Sequence, residues 1–191
     1  TASVIKNDQV SGNVVIPRSI THESQEYIII SISNKAFEYS DQLESVQFPS
    51  DSALQIIEKN AFNNSSIKSI TFPSSLVDLK DGWCNETRCL VNIEIMPDNP
   101  RYKTCEDKLI IGKSRIEQEN FDVLVFCPRN IKKVTIPSFI EIIAPYAFDE
   151  CEQLQEIEIT KNSNLKMIMK NAFACSALKK ISLPPTLVDL N

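Results

Sequence analysis

One short pattern of apolar and polar residues recurs along the chain. It reads apolar-x-x-apolar-x-apolar, is usually followed by Pro, and begins at Leu43, Ile67, Leu90, Ile131, Leu154 and Leu178. In every copy the second and third apolar residues alternate with polar ones, so they share one face of a β-strand. Successive copies begin 24, 23, 41, 23 and 24 residues apart. The pattern therefore predicts a regular series of short strands.

A second pattern, the dipeptide Ala-Phe, lies between copies of the first, with Trp83 in the comparable place of one coil. It occurs at Ala36, Ala61, Ala147 and Ala172. A period near 24 residues with Leu-x-x-Ile-x-Ile in each unit is typical of a leucine-rich-repeat solenoid. We predict a mainly β, right-handed solenoid. Its parallel β-sheet would form the concave face, with short strands and turns on the convex face.

The copies run through the whole chain, so we predict a single array over residues 1–191 with coils of about 23–25 residues. The 41-residue interval is the exception, and its excess lies within residues 98–129. Strand-like runs at 109–111 and 122–128 flank a polar turn there, which predicts a β-hairpin insertion. The sequence stops before its last coil reaches an Ala-Phe dipeptide, so we expect a fragment of a longer array.

Composition removes several function classes. The three glycines are isolated, so no glycine cluster could hold a phosphate. His22 is the only histidine, which excludes a metal site with two of them. The net charge of −5 argues against nucleic acid as a partner, and no apolar run approaches the roughly 20 residues of a membrane helix. We expect that the protein is not an enzyme, that it holds no cofactor or metal, and that this segment does not insert into a membrane.

The cysteines allow two disulfide bonds. Cys105 and Cys127 flank the insertion and could join it, and Cys84 and Cys89 could close a small loop. Either bond requires an oxidising compartment.

Cys151 and Cys175 each lie three residues before the Leu of a copy, where other coils have small residues. We interpret both as reduced thiols that pack in the core. His22 lies in a polar segment and is interpreted as an exposed loop residue.

The polar positions of the predicted strands point away from the core and form a ladder on the concave face. A rigid, repeating surface of this kind suits a protein partner. Charge alternates along it from coil to coil, so it offers no uniform field to a polyanion. The predicted partner-binding residues are Gln47, Thr71, Glu94, Lys133, Thr135, Glu156, Glu158, Lys180 and Ser182.

Three Asn-x-Ser/Thr tripeptides begin at Asn63, Asn64 and Asn85. All three lie at predicted turns, where a glycan would be tolerated if a eukaryote secretes the protein.

Several of these short sequence motifs, taken together, resemble those of one protein family. Residues 11–17 (Ser-Gly-Asn-Val-Val-Ile-Pro) and the Ala-Phe-x-x-Cys word that ends at Cys151 resemble the BspA-like leucine-rich-repeat surface proteins. Residues 99–103 (Asn-Pro-Arg-Tyr-Lys), with the hairpin after them, resemble the insertion within those arrays. The resemblance implies a cell-surface or secreted, adhesin-like protein of mucosal bacteria or protist parasites. Its partners would be host or microbial surface proteins, or extracellular matrix.

We therefore predict a non-enzymatic, extracellular binding or adhesion module. Two alternatives remain open. The array could be a structural spacer or a self-associating protein that stacks through open strand edges, or the insertion could contain a hydrolase site.

Overall fold

The computed structural model describes residues 1–6 and 9–190 and consists almost wholly of short β-strands joined by turns. It divides into two compact units, Thr1–Arg101 (unit 1) and Tyr102–Asn191 (unit 2). In each unit, the sheet built from the recurring pattern is called the first sheet. The sheet built mainly from the segments between the copies is called the second sheet.

The first sheet of unit 1 stacks its strands in parallel. Its register places Val46 beside Ile70 and Ile70 beside Ile93, and all three side chains are buried. Like residues of successive copies thus lie side by side in one core, as the periodicity predicts. The strands, in sheet order, are β2 (Ser11–Val15), β5 (Gln42–Gln47), β7 (Ser69–Phe72) and β9 (Asn92–Ile95).

The second sheet of unit 1 confirms the prediction of short strands between copies. Ile32 and Ile57 pair across neighbouring strands and are fully buried. Its path is β1 (Ala2–Val4), β4 (Gln25–Ile32), β6 (Ile56–Ile57) and β8 (Asp78–Leu79), all parallel, with β3 (Ser19–His22) antiparallel to β4.

The Ala-Phe dipeptides form a column of turns in unit 1. The Phe37 amide donates to the Ala61 carbonyl at 2.7 Å, and the rings of Phe37 and Phe62 stack with centroids 5.0 Å apart. Asn60 and Asn64, on either side of this dipeptide, have positive φ values of 58° and 51°. This left-handed backbone lets the chain reverse within a few residues.

The structure resolves the place of Trp83 within this column. The Phe62 amide donates to the Trp83 carbonyl at 2.9 Å, which puts Trp83 in the Ala position and Cys84 in the Phe position. Gly82, with φ 68°, precedes Trp83 as Asn60 precedes Ala61. The indole still joins the column, because its ring meets that of Phe62 edge-on with centroids 6.0 Å apart.

Unit 2 repeats the plan with fewer strands. Its first sheet contains β13 (Lys133–Ile136) and β15 (Glu156–Ile159), which are parallel and pair residue by residue. The path of its second sheet is β10 (Tyr102–Thr104), β11 (Ile110–Gly112), β12 (Val123–Phe126), β14 (Ile142–Ile143), β16 (Met167–Ile168) and β17 (Asp189–Leu190).

The segment 98–129 contains the antiparallel pair β11 and β12. It also contains β10, which the sequence does not predict as a strand, and the short 3₁₀ segment Glu106–Lys108. The pair belongs to the second sheet, because β12 also pairs in parallel with β14. The neighbours pack closely around Gly112: a Cβ there would lie 3.0 Å from Val125 Cγ2 and 3.1 Å from the Tyr102 ring, so these side chains would have to shift slightly.

The last copy of the pattern differs from the prediction. Residues 178–184 form no strand in the described chain, although Leu178 and Ile181 pack partly buried against the core of unit 2. These two apolar positions thus turn inward without the backbone joining a ladder, whereas Leu183, the third, is 42% exposed. In this copy the pattern specifies the burial of its first two apolar residues but not the strand.

Candidate binding surface

The outward side of the first sheet in unit 1, called the outer face of unit 1, consists of two rows of side chains. Parallel register places Asn13, Ser45, Ser69 and Asn92 in one row. In the other, Val15 pairs with Gln47 and Thr71 pairs with Glu94. Glu94 carries the only charge in the two rows.

Most of this face is accessible to a partner. Gln47 and Glu94 are exposed and Thr71 is half-buried, while Val15 is 63% exposed. Ser45 is more enclosed and hydrogen-bonds Asn13 Oδ1 at 2.6 Å. The structure therefore places three predicted partner-binding residues together on one sheet.

The corresponding face of unit 2 is charged and internally paired. Lys133 Nζ lies 3.0 Å from Glu156 Oε1 and 4.0 Å from Glu158 Oε2. The hydrogen bond and charge of Glu156 raise the pKa of Lys133 above its usual value. Thr135 Oγ1 donates to Glu158 Oε2 at 3.5 Å. The four predicted residues do lie together, but their polar groups mainly contact one another.

Two predicted residues lie apart from any strand. Lys180 and Ser182 are exposed, yet they belong to the last copy, whose backbone forms no strand. They are not fixed in the ladder that the sequence predicts.

Ion pairs between successive repeats also occur outside the two faces, and the sequence analysis did not identify them. Lys68 donates to Glu44 at 2.8 Å, and Lys166 donates to Glu141 at 2.8 Å. The Lys68 hydrogen bond and charge lower the pKa of the Glu44 carboxyl. In the sequence, each of these pairs is a Glu and a Lys separated by one repeat length, and this spacing could have identified them.

All six cysteines are reduced in this structure, which contains neither of the two bonds that the sequence allows, Cys105–Cys127 and Cys84–Cys89. Cys127 instead shares its surroundings with Cys151. Both sulfurs approach the Pro128 carbonyl oxygen, at 3.7 Å and 3.9 Å. Burial raises the pKa of the Cys127 thiol, so it stays protonated at neutral pH.

Cys151 and Cys175 are not equivalent, although each precedes the first Leu of a copy of the pattern by three residues. Cys151 is fully buried, as predicted. Cys175 is exposed and has φ 50°, like Glu150 in the turn before it. The Ala-Phe-x-Cys motif is one residue shorter than Ala-Phe-x-x-Cys, so Cys175 occupies the turn position with left-handed backbone that Glu150 occupies in the preceding repeat. The prediction of a packed thiol is therefore wrong for Cys175.

The three candidate glycosylation residues differ in accessibility. Asn63 is 9% exposed, and its Nδ2 donates to Glu38 Oε1 at 3.2 Å, so it is not accessible in the folded chain. Asn64 is exposed and Asn85 is half-buried.

Side chains with catalytic or metal-binding chemistry are few. His22 lies at the end of β3 with 73% of its side chain exposed, 3.9 Å from Glu23. Ligand atoms of Asp149, Glu150 and Cys175 lie within 4.8 Å of one another. Three donors are one fewer than a closed structural zinc site uses. Within residues 1–6 and 9–190, no helix has the length and apolarity needed to cross a membrane.

Parallel strands at a constant interval, with aligned Leu and Phe positions, define a leucine-rich-repeat protein. The model of the BspA type leucine-rich repeat region matches residues 16–122 and 115–191, with six copies. The chain therefore belongs to that family. No curated protein matches the chain in sequence.

Several solved structures are similar to the chain at low sequence identity. A leucine-rich repeat protein from Eubacterium ventriosum is 20% identical with a TM-score of 0.58, covering 85% of this chain and 53% of that chain. One from Bacteroides ovatus is 17% identical with a TM-score of 0.46, covering 93% and 53%. A leucine rich cell surface protein from Faecalibacterium prausnitzii is 15% identical with a TM-score of 0.48, covering 100% and 90%. The present chain thus spans about half the length of the first two proteins.

Proposed function

We propose that the protein is a non-enzymatic binding module, displayed at a cell surface or secreted, that recognises proteins of a host or of neighbouring cells. Membership of the BspA type family supports the surface location. The observation that carries the binding role is the outer face of unit 1, where four parallel strands hold accessible, mostly uncharged side chains.

The physical properties of this face suit a protein partner. Its side chains stand on paired strands about 4.8 Å apart, so little backbone conformational entropy is lost when a partner binds. Hydroxyl and amide groups can donate and accept hydrogen bonds without the desolvation cost of a buried charge. The exposed Val15 supplies apolar area at the edge of the face.

The face of unit 2 is less suited to direct contact. A partner there would have to separate Lys133 from Glu156, or desolvate both while they remain paired. We therefore place the contact on unit 1 and treat unit 2 as its internal comparison.

Binding of the soluble chain to epithelial cells and to immobilised matrix proteins tests the proposal. The double variant Gln47→Arg, Thr71→Arg adds bulk and charge to the outer face of unit 1 and is expected to weaken binding at least tenfold. The matched control Lys133→Glu, Glu156→Lys reverses the charges on unit 2 but keeps an ion pair, and it should bind like the wild type. Circular dichroism verifies that both variants fold.

Other results would contradict the proposal. Absence of wild-type binding to any of these surfaces would remove the binding role. Loss of binding in the unit 2 control alone would move the contact to unit 2. Growth of the light-scattering mass with concentration, without binding to cells or matrix, would favour self-association.

A further inference from the structure

Unit 2 contains a cleft of about 410 Å³ between the segment 98–129 and the repeat that follows it. Two aromatic rings, Phe121 and Phe139, line it together with the amides of Asn120 and Asn164. Its volume falls within the range of about 300–1,000 Å³ that is usual for small-ligand sites. The cleft lies apart from the strands of the first sheet.

Phe139 departs from the pattern of its own repeat position, the residue just before a buried Leu or Ile of the second apolar segment. In the repeats where, as here, two residues separate the Pro from this apolar residue, the others place Ser75 and Thr186 there, while the two longer connections have Ala53 and Asn164. Ser75 Oγ donates to the carbonyls of Ser52 and Leu54 at 2.9 and 2.7 Å, and Thr186 donates in the same way to the preceding repeat. Phe139 cannot form such bonds and is 46% exposed. Packing in the core therefore accounts for only part of a large apolar ring at this position.

The opposite wall is held in a fixed conformation by its own hydrogen bonds. The carboxylate of Asp122 accepts from the Ser114 amide at 2.8 Å, the Ser114 hydroxyl at 2.6 Å and Gln118 Nε2 at 2.6 Å. Gln118 Nε2 also donates to the Asn120 carbonyl at 2.7 Å. The backbone that presents Asn120 and Phe121 is thus organised before any ligand arrives, which lowers the entropy cost of binding.

Three carboxylates and one ammonium group line the cleft. Lys103 Nζ lies 4.2 Å from the centroid of the Phe121 ring, and Glu141 is paired with Lys166 at 2.8 Å. Glu119 adds one more negative charge to the lining. An anionic ligand would meet these carboxylates, and a strongly cationic one would meet Lys103.

The exposed amides complete the chemistry. The side chains of Asn120 and Asn164 are exposed, and an amide both donates and accepts hydrogen bonds. A ligand that suits the cleft therefore has many hydroxyl groups, no net charge and an apolar face for a phenyl ring. Pyranose sugars combine these properties, since their ring C–H groups pack on aromatic faces while their hydroxyls bind amides and carboxylates.

We propose that this cleft binds a neutral oligosaccharide, with Phe139 as the stacking platform and Asn120 and Asn164 as hydrogen-bonding partners of the hydroxyls. The site is separate from the outer face of unit 1, so it does not depend on the proposed protein binding.

Saturation-transfer NMR and calorimetry on the full chain test the proposal. The probes are lactose, maltotriose and N,N′-diacetylchitobiose, with 3′-sialyllactose as the anionic comparison and N-acetyl-phenylalanine amide as a peptide-like comparison. At least one neutral sugar is expected to bind with a dissociation constant of about 1 mM or lower, and more tightly than both comparisons.

The decisive variant is Phe139→Ser, which installs the residue that Ser75 places at the same repeat position. It should fold like the wild type and weaken sugar binding at least tenfold. Tyr39→Ser, which removes an aromatic side chain of unit 1 that is 60% exposed, is the matched control and should leave sugar binding unchanged.

Three results would overturn the proposal. These are no binding of any neutral sugar by the wild type, undiminished binding in Phe139→Ser, or preferential binding of the phenylalanine amide, which would indicate a protein partner. The Gln47→Arg, Thr71→Arg variant should retain sugar binding, so failure of one proposal is distinguishable from failure of the other.

Discussion

The two units build the same kind of first sheet and present opposite kinds of surface on it. In unit 1 the outward rows contain hydroxyl and amide side chains, one exposed Val and one Glu. In unit 2 the paired positions Lys133–Glu156 and Thr135–Glu158 contact one another across neighbouring strands. The repeat fixes where outward side chains stand, and their identity decides whether they are available to a partner.

A second contrast, between repeats rather than between units, appears at the position before the apolar residue of the second segment. Ser75 in unit 1 and Thr186 in unit 2 each join their repeat to the preceding one through two carbonyls, whereas Phe139 in unit 2 lines a cleft. A side chain that joins repeats serves the fold, and one that does not can serve recognition.

The largest predicted effect tests what the units share. Phe62 and Phe148 are fully buried and each stacks on a second Phe ring at 5.0 Å. Replacing either by Ala should cost about 3–5 kcal/mol, because it leaves a cavity in the turn column. Denaturant unfolding measures this loss, with the fluorescence of Trp83, the only Trp, reporting on unit 1. Tyr39→Ala is the exposed control, and a cost below about 1 kcal/mol for Phe148→Ala would show that the columns differ.

An intermediate effect separates the position of Ser75 from that of Phe139. Ser75→Ala should destabilise the protein by about 1 kcal/mol, since two partly buried carbonyls lose their donor. Phe139→Ser should leave the midpoint of thermal unfolding unchanged or raise it, because the exposed ring adds little to the core. Ser74→Ala is the neighbouring control. A clear loss of stability in Phe139→Ser would mean that the ring supports the fold after all.

The smallest effect concerns the charged face of unit 2. The pKa of Lys133 is raised by its hydrogen bond to Glu156 and by that carboxylate's charge, with a smaller contribution from Glu158. The pair is therefore fully present below the ordinary lysine value of 10.5 and is lost as the pH rises through the higher folded value.

Glu156→Gln should return the pKa of Lys133 toward 10.5, as measured by NMR titration of the lysine side chain. Glu94→Gln on unit 1 is the control and should leave the titration of Lys133 unchanged. An identical titration curve in Glu156→Gln would show that the pair does not persist in solution.

Several features followed from sequence because they depend on periodicity alone. The inward positions Val46, Ile70 and Ile93 were identifiable from alternation, and the structure buries them. The antiparallel strands β11 and β12 coincide with two apolar runs around a polar turn. Strand β10 was missed because Tyr102–Thr104 is too short and polar to show a pattern.

Other features are apparent only from the three-dimensional structure. Counting residues back from the first Leu of each pattern copy made Cys175 equivalent to Cys151. The turn before Leu178 is one residue shorter, however, and this shifts the alignment by one position. The cleft beside Phe139 brings together side chains from separate segments of unit 2, and no sequence spacing encodes that proximity.

The amino-acid sequence by itself determined the repeat length, the alternation of inward and outward side chains and the family, because each is a property of positions along one dimension. Only the tertiary structure decided which outward groups neutralise one another, which thiols meet and where a cleft opens. These depend on distances between residues a full repeat or more apart, which stacking sets and the linear order does not.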